Sequence, residues 1–313
     1  MNFWQNLPKP FFVLAPMDAV TDTVFRHVVA KAAPPDVYFT EFTNTAAFYS
    51  EFGRKSTETR LLFTSDEQPM VAQIWGTNPE HYAFMAKNLA KMGFAGIDIN
   101  MGCPAKDVVK TGACSALIEN PELAAKLIAA AKEGGLPVSV KTRIGFKTRK
   151  TEEWISFLLN QDLAALTVHG RIQKDMSIPP ADWDEIAKAV KMRDKIAPQT
   201  LIIGNGDVLS KQHGIELAKK TGVDGIMIGR GVFTNPYCFE ELPTEHSRQE
   251  LLELLKFHLD LYEKTWQGRK MPFAPLKRFF KIYVRDFDGA VDLRVSLMET
   301  KNIDEVRQIL AKI

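Results

Sequence analysis

Cys103 is the residue of this sequence whose type and setting best suit chemistry on a bound molecule. It follows an apolar run, stands between Gly102 and Pro104, and lies three residues after Asn100. A nucleophilic cysteine needs a neighbouring base or a helix N-terminus that lowers the pKa of its thiol. A proton donor needs a thiol that stays protonated near neutral pH, which an unperturbed pKa of about 8.5 allows. No Cys–His–Asn signature accompanies Cys103, so the sequence favours the proton donor.

Lys141 and His169 indicate a second kind of chemistry, because each stands in a strand-like apolar run. A charged side chain inside a buried strand is costly unless it faces an anion or an electron-rich cofactor. A flavin meets that description, since cations near its pyrimidine edge stabilise the anionic reduced ring, and Gln73 could bond to its amide edge. A flavin would therefore fit these three residues.

The segments Asn205-Gly206-Asp207 and Gly229-Arg230-Gly231 are rich in small residues and end the last two apolar runs. Small residues let backbone N–H groups approach an anion, and the corresponding loops of many α/β barrels bind phosphate. The usual nucleotide-binding motifs do not offer an alternative explanation for these segments. Residues 204–209 lack the third glycine of a dinucleotide loop, and no GxxxxGK[ST] sequence is present. We expect a phosphorylated ligand.

Eight short apolar runs must align these residues. The runs span residues 11–17, 37–42, 70–76, 96–102, 137–145, 165–170, 200–206 and 225–231. Helical patterns lie between them, opening at Asn78-Pro79-Glu80 and Asn120-Pro121-Glu122 and covering about 151–160, 182–194 and 210–221. This alternation predicts an α/β fold, the (β/α)8 TIM barrel, with its active site at the C-terminal strand ends. A doubly wound sheet is the alternative, but it usually has fewer strands and a glycine-rich first turn.

The pattern of apolar residues changes after about residue 241. Strand-like runs stop, and apolar residues recur at helical spacing over 246–266, followed by helical patterns at about 273–287, 289–298 and 303–312. The sequence thus predicts a barrel domain over residues 1–241 and a small all-helical domain over residues 242–313.

Composition limits the functional classes. The 313 residues are 45% hydrophobic, with 40 Lys and Arg against 38 Asp and Glu, which is typical of a globular protein. No apolar run approaches the roughly 18 residues of a membrane helix, and no secretory signal is visible. Three cysteines without a CxxC pair and six scattered histidines argue against disulfides or a structural metal. We expect a reduced, cytoplasmic protein.

Seven segments resemble a known family, in order along the chain: LAPMDAVTDTVFR (14–26), DINMGCPAKDVVKTGACSALIENPEL (98–123), VSVKTRIG (138–145), TVHGR (167–171), IIGNGDV (202–208), GIMIGRG (225–231) and LKRFFKIYVRDFDGAVDLRVSL (276–297). They are similar to the tRNA-dihydrouridine synthase family. The opening APM…TD…FR and the D-x-N-x-GCP-x-x-x-V segment are specific, whereas the Gly-Arg ending alone occurs in other flavin barrels.

The resemblance implies an FMN barrel that reduces a uridine base in tRNA and uses NADPH to recharge the flavin. Hydride from the reduced flavin would reach C6 of the uracil, Cys103 would protonate C5 from the other face, and Asn100 would orient the base. Arg143 and Arg171 are further candidates for contacts to the base or the flavin. The residues expected to hold FMN are Pro16, Met17, Asp18, Gln73, Lys141, His169, Asn205, Gly206, Asp207, Gly229 and Arg230.

Two basic stretches could serve tRNA binding. Residues 141–150 contain five basic and no acidic residues. Residues 269–285 contain six, again without an acid: Arg269, Lys270, Lys277, Arg278, Lys281 and Arg285. The second stretch interleaves aromatic residues, which is also typical of an amphipathic helix with a solvated basic face. The resemblance favours a tRNA-docking surface, with Arg278, Lys281 and Arg285 as contacts. We expect a monomer.

The sequence departs from the family pattern in two places. Residues 172–177 (IQKDMS) follow His-Gly-Arg where the family has Thr and a longer polar loop, and Cys114-Ser115 stand where small Gly or Ala residues are common. These departures leave the target uridine open. Cys114 and Cys238 are expected to be packing residues.

Two other functions stay open from the residues. A flavin oxidoreductase acting on a free pyrimidine, as dihydroorotate dehydrogenases do, would share the barrel and FMN without needing a basic helical tail. A tRNA-binding or chaperone protein without turnover would need the tail but not Cys103.

Overall fold

Parallel strands form the centre of the molecule in the computed structural model, which describes residues 2–242, 244–269 and 272–313. The strands within these residues are β1 (Phe11–Leu14), β2 (Tyr38–Phe39), β3 (Thr43–Asn44), β4 (Met70–Trp75), β5 (Gly96–Met101), β6 (Val138–Arg143), β7 (Ala165–His169), β8 (Leu201–Asn205) and β9 (Gly225–Ile228). Their order in the sheet is β1-β9-β8-β7-β6-β5-β4-β2, with β3 also on β4. The sheet closes where the Leu14 amide donates to the Val37 carbonyl at 3.2 Å. The predicted (β/α)8 barrel is confirmed.

The predicted strand over 37–42 is instead two short strands, β2 and β3. Tyr38 lies opposite Met70, whereas Thr43 lies opposite Ile74, so one extra residue separates the two pieces. The Thr40 hydroxyl accepts a hydrogen bond from the Gln73 amide at 3.1 Å, in place of a backbone ladder bond. A bulge of this kind bends the strand at the barrel rim.

Large apolar side chains fill the N-terminal end of the barrel. Trp4 lies in a 3-10 helix at Phe3–Asn6. Its ring centroid is 5.8 Å from that of Phe11 and 6.3 Å from that of Phe39. Gly225 makes room for Phe11, since a Cβ there would lie 2.3 Å from its ring. Because apolar packing closes the N-terminal end of the barrel, the inward-pointing polar residues lie at the C-terminal end.

Helices surround the barrel and continue beyond it. They are α1 (Thr23–Ala32), α2 (Thr45–Tyr49), α3 (Glu51–Leu61), α4 (Pro79–Lys91), α5 (Lys106–Val109), α6 (Pro121–Lys132), α7 (Thr151–Leu159), α8 (Trp183–Ile196), α9 (Lys211–Thr221), α10 (Gly231–Thr234), α11 (Arg248–Trp266), α12 (Phe280–Tyr283), α13 (Ala290–Glu299) and α14 (Ile303–Leu310). Asn78 and Asn120 cap α4 and α6 as predicted, with side chains accepting from the Glu80 and Leu123 amides. Sequence patterns did not reveal α1, α2, α3, α5 or α10.

The helical pattern predicted at about 273–287 is confirmed over residues 274–283 but is not one continuous α-helix. The chain forms a 3-10 helix at Ala274–Phe279, then the short α12, and turns at Asp286 and Gly289, which have φ of +58° and +79°. Pro275 near the start removes one backbone donor, and the left-handed residues end the helical path.

The C-terminal helices share one hydrophobic core with the barrel helices. The Phe25 ring of α1 lies 4.7 Å from Phe279 and 6.1 Å from Phe233. His258 is buried beside them, and its Nδ1 lies 2.7 Å from the Tyr283 hydroxyl. The division at residues 241 and 242 therefore stays a prediction. Among the described residues, no helix has the length and apolarity needed to cross a membrane.

Candidate active site

A cavity of about 540 Å³ opens at the C-terminal ends of the barrel strands. The sequence-predicted residues that line it are Pro16, Met17, Gln73, Asn100, Cys103, Lys141, Arg143, His169, Arg171, Asn205, Gly206, Asp207, Gly229 and Arg230. They come from seven different strands or the loops after them, so the fold brings together residues more than 200 positions apart. Phe42, Ser177 and Thr234 also line the cavity and were not predicted.

Asn100 shapes the turn that presents Cys103. Its Oδ1 accepts hydrogen bonds from the Gly102 amide at 3.1 Å and the Cys103 amide at 2.9 Å. The Ser115 hydroxyl donates to the Cys103 carbonyl at 2.8 Å. The turn is thus held on both sides, with the thiol at the cavity wall.

The Cys103 thiol differs from the expected ordinary thiol. A hydrogen bond from Cys114 is the main influence that lowers its pKa to about 6, aided by the Ala105 amide and the Arg143 charge and opposed by burial. An unperturbed thiol would titrate near 8.5. The surroundings of Cys103 therefore favour its thiolate form more than the ordinary pKa expected from the sequence would.

A buried row of polar groups supports this turn from below. Ser139, Asp98 and Gln73 lie in register on β6, β5 and β4. The Ser139 hydroxyl donates to Asp98 at 2.6 Å, and Gln73 Nε2 donates to the other carboxylate oxygen at 2.8 Å. Asn100 Nδ2 then donates to Gln73 Oε1 at 2.9 Å. Because Asp98 fixes which end of the Gln73 amide is the acceptor, the Asn100 orientation follows from it.

Asp98, the first residue of the D-x-N-x-GCP segment, is not among the site residues predicted from the sequence. Alternation along β5 is the signal, because residues two apart in a strand point to the same side. Burial raises the pKa of Asp98 to about 6.

Lys141 and Asn205 form one wall of the cavity, with Lys141 beside Asn100 in the sheet. Lys141 Nζ donates to Asn205 Oδ1 at 2.9 Å, and Asn205 Nδ2 donates to the Met227 carbonyl at 2.9 Å. Burial lowers the pKa of Lys141 to about 8. The group remains mainly an ammonium at neutral pH and lies where a bound electron-rich ring would meet it.

His169 is neutral in this setting. Its Nε2 lies 3.0 Å from Arg171 Nη1, and a guanidinium can only donate, so Nε2 accepts and the proton sits on Nδ1. Burial, followed by the surrounding cations Lys141, Arg143 and Arg171, keeps the pKa of His169 well below its ordinary value.

Asp207 joins two arginines at the predicted phosphate site. It accepts a hydrogen bond from Arg171, one from Arg230 at 3.0 Å and one from the Ala181 amide at 2.8 Å. Burial acts to raise its pKa, but these bonds outweigh burial and the pKa is lowered. A carboxylate would repel a phosphate directly, so the geometry makes Asp207 a support for the arginines.

Arg143 and Arg171 hold the loop after β7. Arg143 donates to the carbonyls of Gly102 at 2.7 Å, Ile172 at 3.2 Å and Met176 at 2.7 Å, while Arg171 donates to the Pro179 carbonyl at 2.5 Å. Both arginines are buried. Arg143 therefore binds the unusual 172–177 segment, and Arg171 binds residue 179 shortly after it, roles that sequence spacing does not show.

Four predicted residues lie outside the cavity wall. Asp18 pairs with Arg60 at 2.5 Å, and Arg278 donates to the Ala19 carbonyl at 2.9 Å. Lys281 lies 5.4 Å from the Phe233 ring centroid, and Arg285 pairs with Asp286. Lys270, of the second basic stretch, lies outside the described residues. In the described ranges, no three His, Cys, Asp or Glu residues are grouped to hold a metal ion.

Comparison with known proteins identifies the family of this chain. A family model described as "Dihydrouridine synthase" matches residues 13–312. The chain belongs to this family. It is 53% identical over 310 residues to the "Probable tRNA-dihydrouridine synthase 2" of Bacillus subtilis (strain 168), covering 99% of this chain and 95% of that protein. A "Probable tRNA-dihydrouridine synthase" of Staphylococcus epidermidis is 54% identical with the same coverage.

The fold has relatives beyond the dihydrouridine synthases. A solved complex of 2-naphthoyl-CoA reductase aligns with a TM-score of 0.56 at 9% identity, covering 72% of this chain and 48% of that one. This likeness shows the barrel fold alone. Dihydrouridine synthases are flavin-dependent oxidoreductases, so this chain is an enzyme of that type, and the resemblance deduced from the sequence is confirmed.

The cavity residues of this dihydrouridine synthase fit a flavin. A Cβ on Gly229 would lie 3.5 Å from the Ala15 Cβ, an ordinary contact, so the folded chain itself does not require glycine there. The absent side chain leaves room for a ligand beside Arg230. Lys141, Arg143, Arg171 and Arg230 also line one cavity, and this excess positive charge suits an anionic cofactor.

Proposed function

We propose that this protein is a tRNA-dihydrouridine synthase that reduces the C5–C6 double bond of a uridine in tRNA, with FMN as cofactor and NADPH as reductant. The observation that carries the proposal is the placement of the Cys103 thiol and the Lys141–Asn205 wall on one cavity. The reaction needs both a proton source and a cofactor site, and these residues would supply the two at one barrel mouth. The relatives named above support the choice of tRNA as substrate.

The cofactor residues divide by chemistry. Lys141, His169 and Gln73 would face the polar edge of the ring, and Pro16 and Met17 would pack against it. The phosphate would meet Arg230 and the backbone of Gly206 and Gly229, with Asp207 holding Arg230 in place. Asp18 would act only through Arg60 and the loop after β1. When bound, the flavin supplies the hydride that C6 of the uracil receives.

Cys103 would complete the reduction as general acid. Its S–H bond breaks as a C5–H bond forms on the base, leaving a Cys103 thiolate. The hydrogen bonds that lower the pKa of Cys103 stabilise that thiolate. A neutral uracil placed over the sulfur would remove water from it and thereby favour the protonated thiol before the transfer. Asn100 would hold the cysteine turn, with its remaining N–H directed to the base.

The helical region of residues 242–313 would dock the tRNA. Arg278 and Lys281 are exposed on it. Arg278 also bonds the Ala19 carbonyl, two residues after Met17, so this basic surface lies beside the loop that borders the cavity. Phosphate neutralisation supplies much of the affinity for RNA. The target uridine must leave its stack to enter the barrel, as other base-modifying enzymes require. We place the enzyme in the cytoplasm as a monomer.

Mapping of dihydrouridine by mass spectrometry tests the proposal. tRNA from a strain lacking the gene should lose dihydrouridine at one or more positions. Wild type and Cys238→Ala should restore them, and Cys103→Ala should not. Cys238 is a suitable control because it is buried outside the cavity wall. An unchanged map, without a second enzyme for the same position, would contradict the function.

Substrate and cofactor need separate assays. Purified protein should carry FMN and oxidise NADPH in the presence of transcript tRNA, with NADH measured alongside it. Equal turnover of a free pyrimidine would favour the dihydroorotate dehydrogenase-like alternative. A colourless protein that binds tRNA would favour the chaperone alternative.

A further inference from the structure

Glu41 is a buried carboxylate near the barrel mouth. It follows β2 and directly precedes Phe42, which lines the cavity. Only 6% of Glu41 is exposed to solvent. A buried carboxylate is costly to the fold unless it accepts hydrogen bonds or pairs with a cation. The groups that Glu41 binds therefore indicate what it does.

Glu41 holds the β1–α1 turn, residues 17–21. Its Oε1 accepts a hydrogen bond from the Ala19 amide at 2.6 Å and lies 3.3 Å from Arg60 Nη1. Ala19 has a φ of +54°, in the left-handed region where a side chain is disfavoured relative to glycine. Such a conformation persists only where the surrounding structure holds it. The bond from the Ala19 amide to Glu41 is one of the contacts that hold it.

The β1–α1 turn carries a residue that lines the cavity. The Met17 carbonyl accepts hydrogen bonds from the amides of Val20 at 3.1 Å and Thr21 at 3.0 Å. The Met17 amide donates to the Thr21 hydroxyl at 2.9 Å. Met17 itself lines the cavity. Because these bonds join the two ends of the turn, a change of conformation at Ala19 would shift Met17.

The carbonyl of Ala19 faces the helical region. Arg278, on the surface proposed to dock tRNA, donates to this carbonyl at 2.9 Å. Arg278 is exposed, whereas Glu41 is buried. Water competes for an exposed hydrogen bond, so the buried bond to Glu41 should contribute more to the shape of the turn.

We propose that Glu41 is a positioning residue for the flavin, because its carboxylate holds Ala19 in the left-handed conformation and so places Met17 against the ring. The inference rests on the proposed function in taking FMN as the ligand of the cavity. Glu41 is not among the described residues that line the cavity, so it acts through the β1–α1 turn and takes no part in the chemical step.

Two variants of similar size separate the hydrogen bond of Glu41 from its charge. In Glu41→Gln the amide oxygen can still accept from Ala19, since both bonds of Glu41 end on the same oxygen. In Glu41→Leu no acceptor remains. The dissociation constant for FMN, measured on the full-length protein by flavin fluorescence, should rise about tenfold or more in Glu41→Leu and stay within about threefold of the wild type in Glu41→Gln.

Ala19→Gly supplies a rescue that a merely structural role of Glu41 would not show. Glycine adopts a left-handed φ without the steric cost of a side chain, so the turn depends less on Glu41. The double variant Ala19→Gly/Glu41→Leu should therefore bind FMN about threefold or more tighter than Glu41→Leu alone.

Hydrogen exchange reports on the β1–α1 turn without flavin or tRNA. Amides of residues 17–21 should exchange faster in Glu41→Leu than in the wild type, and at the wild-type rate in Glu41→Gln. Exchange in the barrel strands should match the wild type in both variants, which separates a local change from unfolding.

Wild-type FMN affinity in Glu41→Leu, an equal loss in Glu41→Gln, or no rescue by Ala19→Gly would each overturn the proposal. A wild-type protein that binds no FMN would contradict the proposed function. A wild-type protein that binds FMN, with Glu41→Leu binding it equally well, would contradict this inference alone.

Discussion

The two basic stretches of the chain, residues 141–150 and 269–285, have similar composition but face different surroundings. In the first, Lys141 and Arg143 point into the barrel mouth, and Arg149 and Lys150 pair with Asp182 and Glu119 at 2.9 Å and 3.3 Å. In the second, Arg278 and Lys281 are exposed on the helical region. A run of like charges therefore does not by itself identify a nucleic-acid surface.

The physical cause of the difference is the period of each element. Residues 141 and 143 are two apart on β6, so both point inward from one face of the strand. Residues 278 and 281 are three apart across a helical turn, so both lie on one outer face. The first stretch thus provides charge to a cavity, and the second provides charge to solvent and to whatever docks there.

The largest expected effect is that of replacing Lys141, the residue of the first basic stretch that donates to Asn205 in the cavity. Lys141→Met should abolish flavin retention and lower kcat/KM by about a hundredfold or more, because the cation at the cofactor edge is lost. The protein should be no less stable, since a desolvated charge is removed. Flavin absorbance and thermal melting check both parts, and Lys147→Met, exposed in the same stretch, is the control. If Lys141→Met retained its flavin, the first basic stretch would not differ from the second in serving the cofactor.

Arg143 should affect stability as well as activity. Arg143→Met leaves the carbonyls of Gly102, Ile172 and Met176 without their donor. Because the bond to Gly102 is buried, we expect a loss of about 1–3 kcal/mol in the free energy of unfolding. Release of the 172–177 segment should also lower kcat. Denaturant unfolding and single-turnover assays measure the two effects, and unchanged stability would show that these bonds contribute little.

The second stretch should affect tRNA binding without affecting flavin. Lys281→Ala should raise KM for tRNA by roughly three- to tenfold and reduce the salt slope of binding by about 1, with flavin content unchanged. Arg278→Ala should add a fall in kcat, because its bond to Ala19 supports the loop beside the cavity. If Lys281→Ala binds tRNA with wild-type affinity and salt dependence, the RNA-facing role of this surface is wrong.

The pH dependence of stability distinguishes the interior lysine in another way. Burial lowers the pKa of Lys141 to about 8 in the folded protein, below its unfolded value, so the unfolded state binds more protons above pH 8. The stability of the flavin-free wild type relative to Lys141→Met should therefore rise as pH increases from about 8 to 10.5. Chemical denaturation of both proteins at several pH values checks the slope, and equal pH dependence in the two would contradict it.

The smallest effect is expected at Arg149. Its ion pair with Asp182 spans 2.9 Å but is largely exposed. Such pairs contribute about 0–1 kcal/mol, so Arg149→Ala should change neither the melting temperature nor flavin content measurably. A large destabilisation would mean that the outer half of the first stretch is structural after all.

Sequence patterns predicted most of the barrel because buried parallel strands have a distinctive apolar signature. β5, for example, was recognised from GIDINMG and is buried throughout. They failed where tertiary contacts override local preference. The bulge between β2 and β3 depends on the Thr40 hydroxyl meeting β4, and the short α12 depends on packing of Phe279 and Phe280.

The sequence by itself determined the identities of the chemical groups. Cys103 beside Pro104, the interior Lys141 and the glycines at 206 and 229 follow from residue type and strand position, because a barrel places all strand ends at one mouth. That placement also allowed the family to be recognised. These conclusions require no interatomic distances.

Only the tertiary structure decided how those groups behave. The lowered pKa of Cys103, the neutral tautomer of His169 and the binding of Arg143 to loop carbonyls depend on partners far away in the chain. Hydrogen bonds and burial act over a few ångströms, so proton affinity and orientation are set by neighbours that only folding supplies.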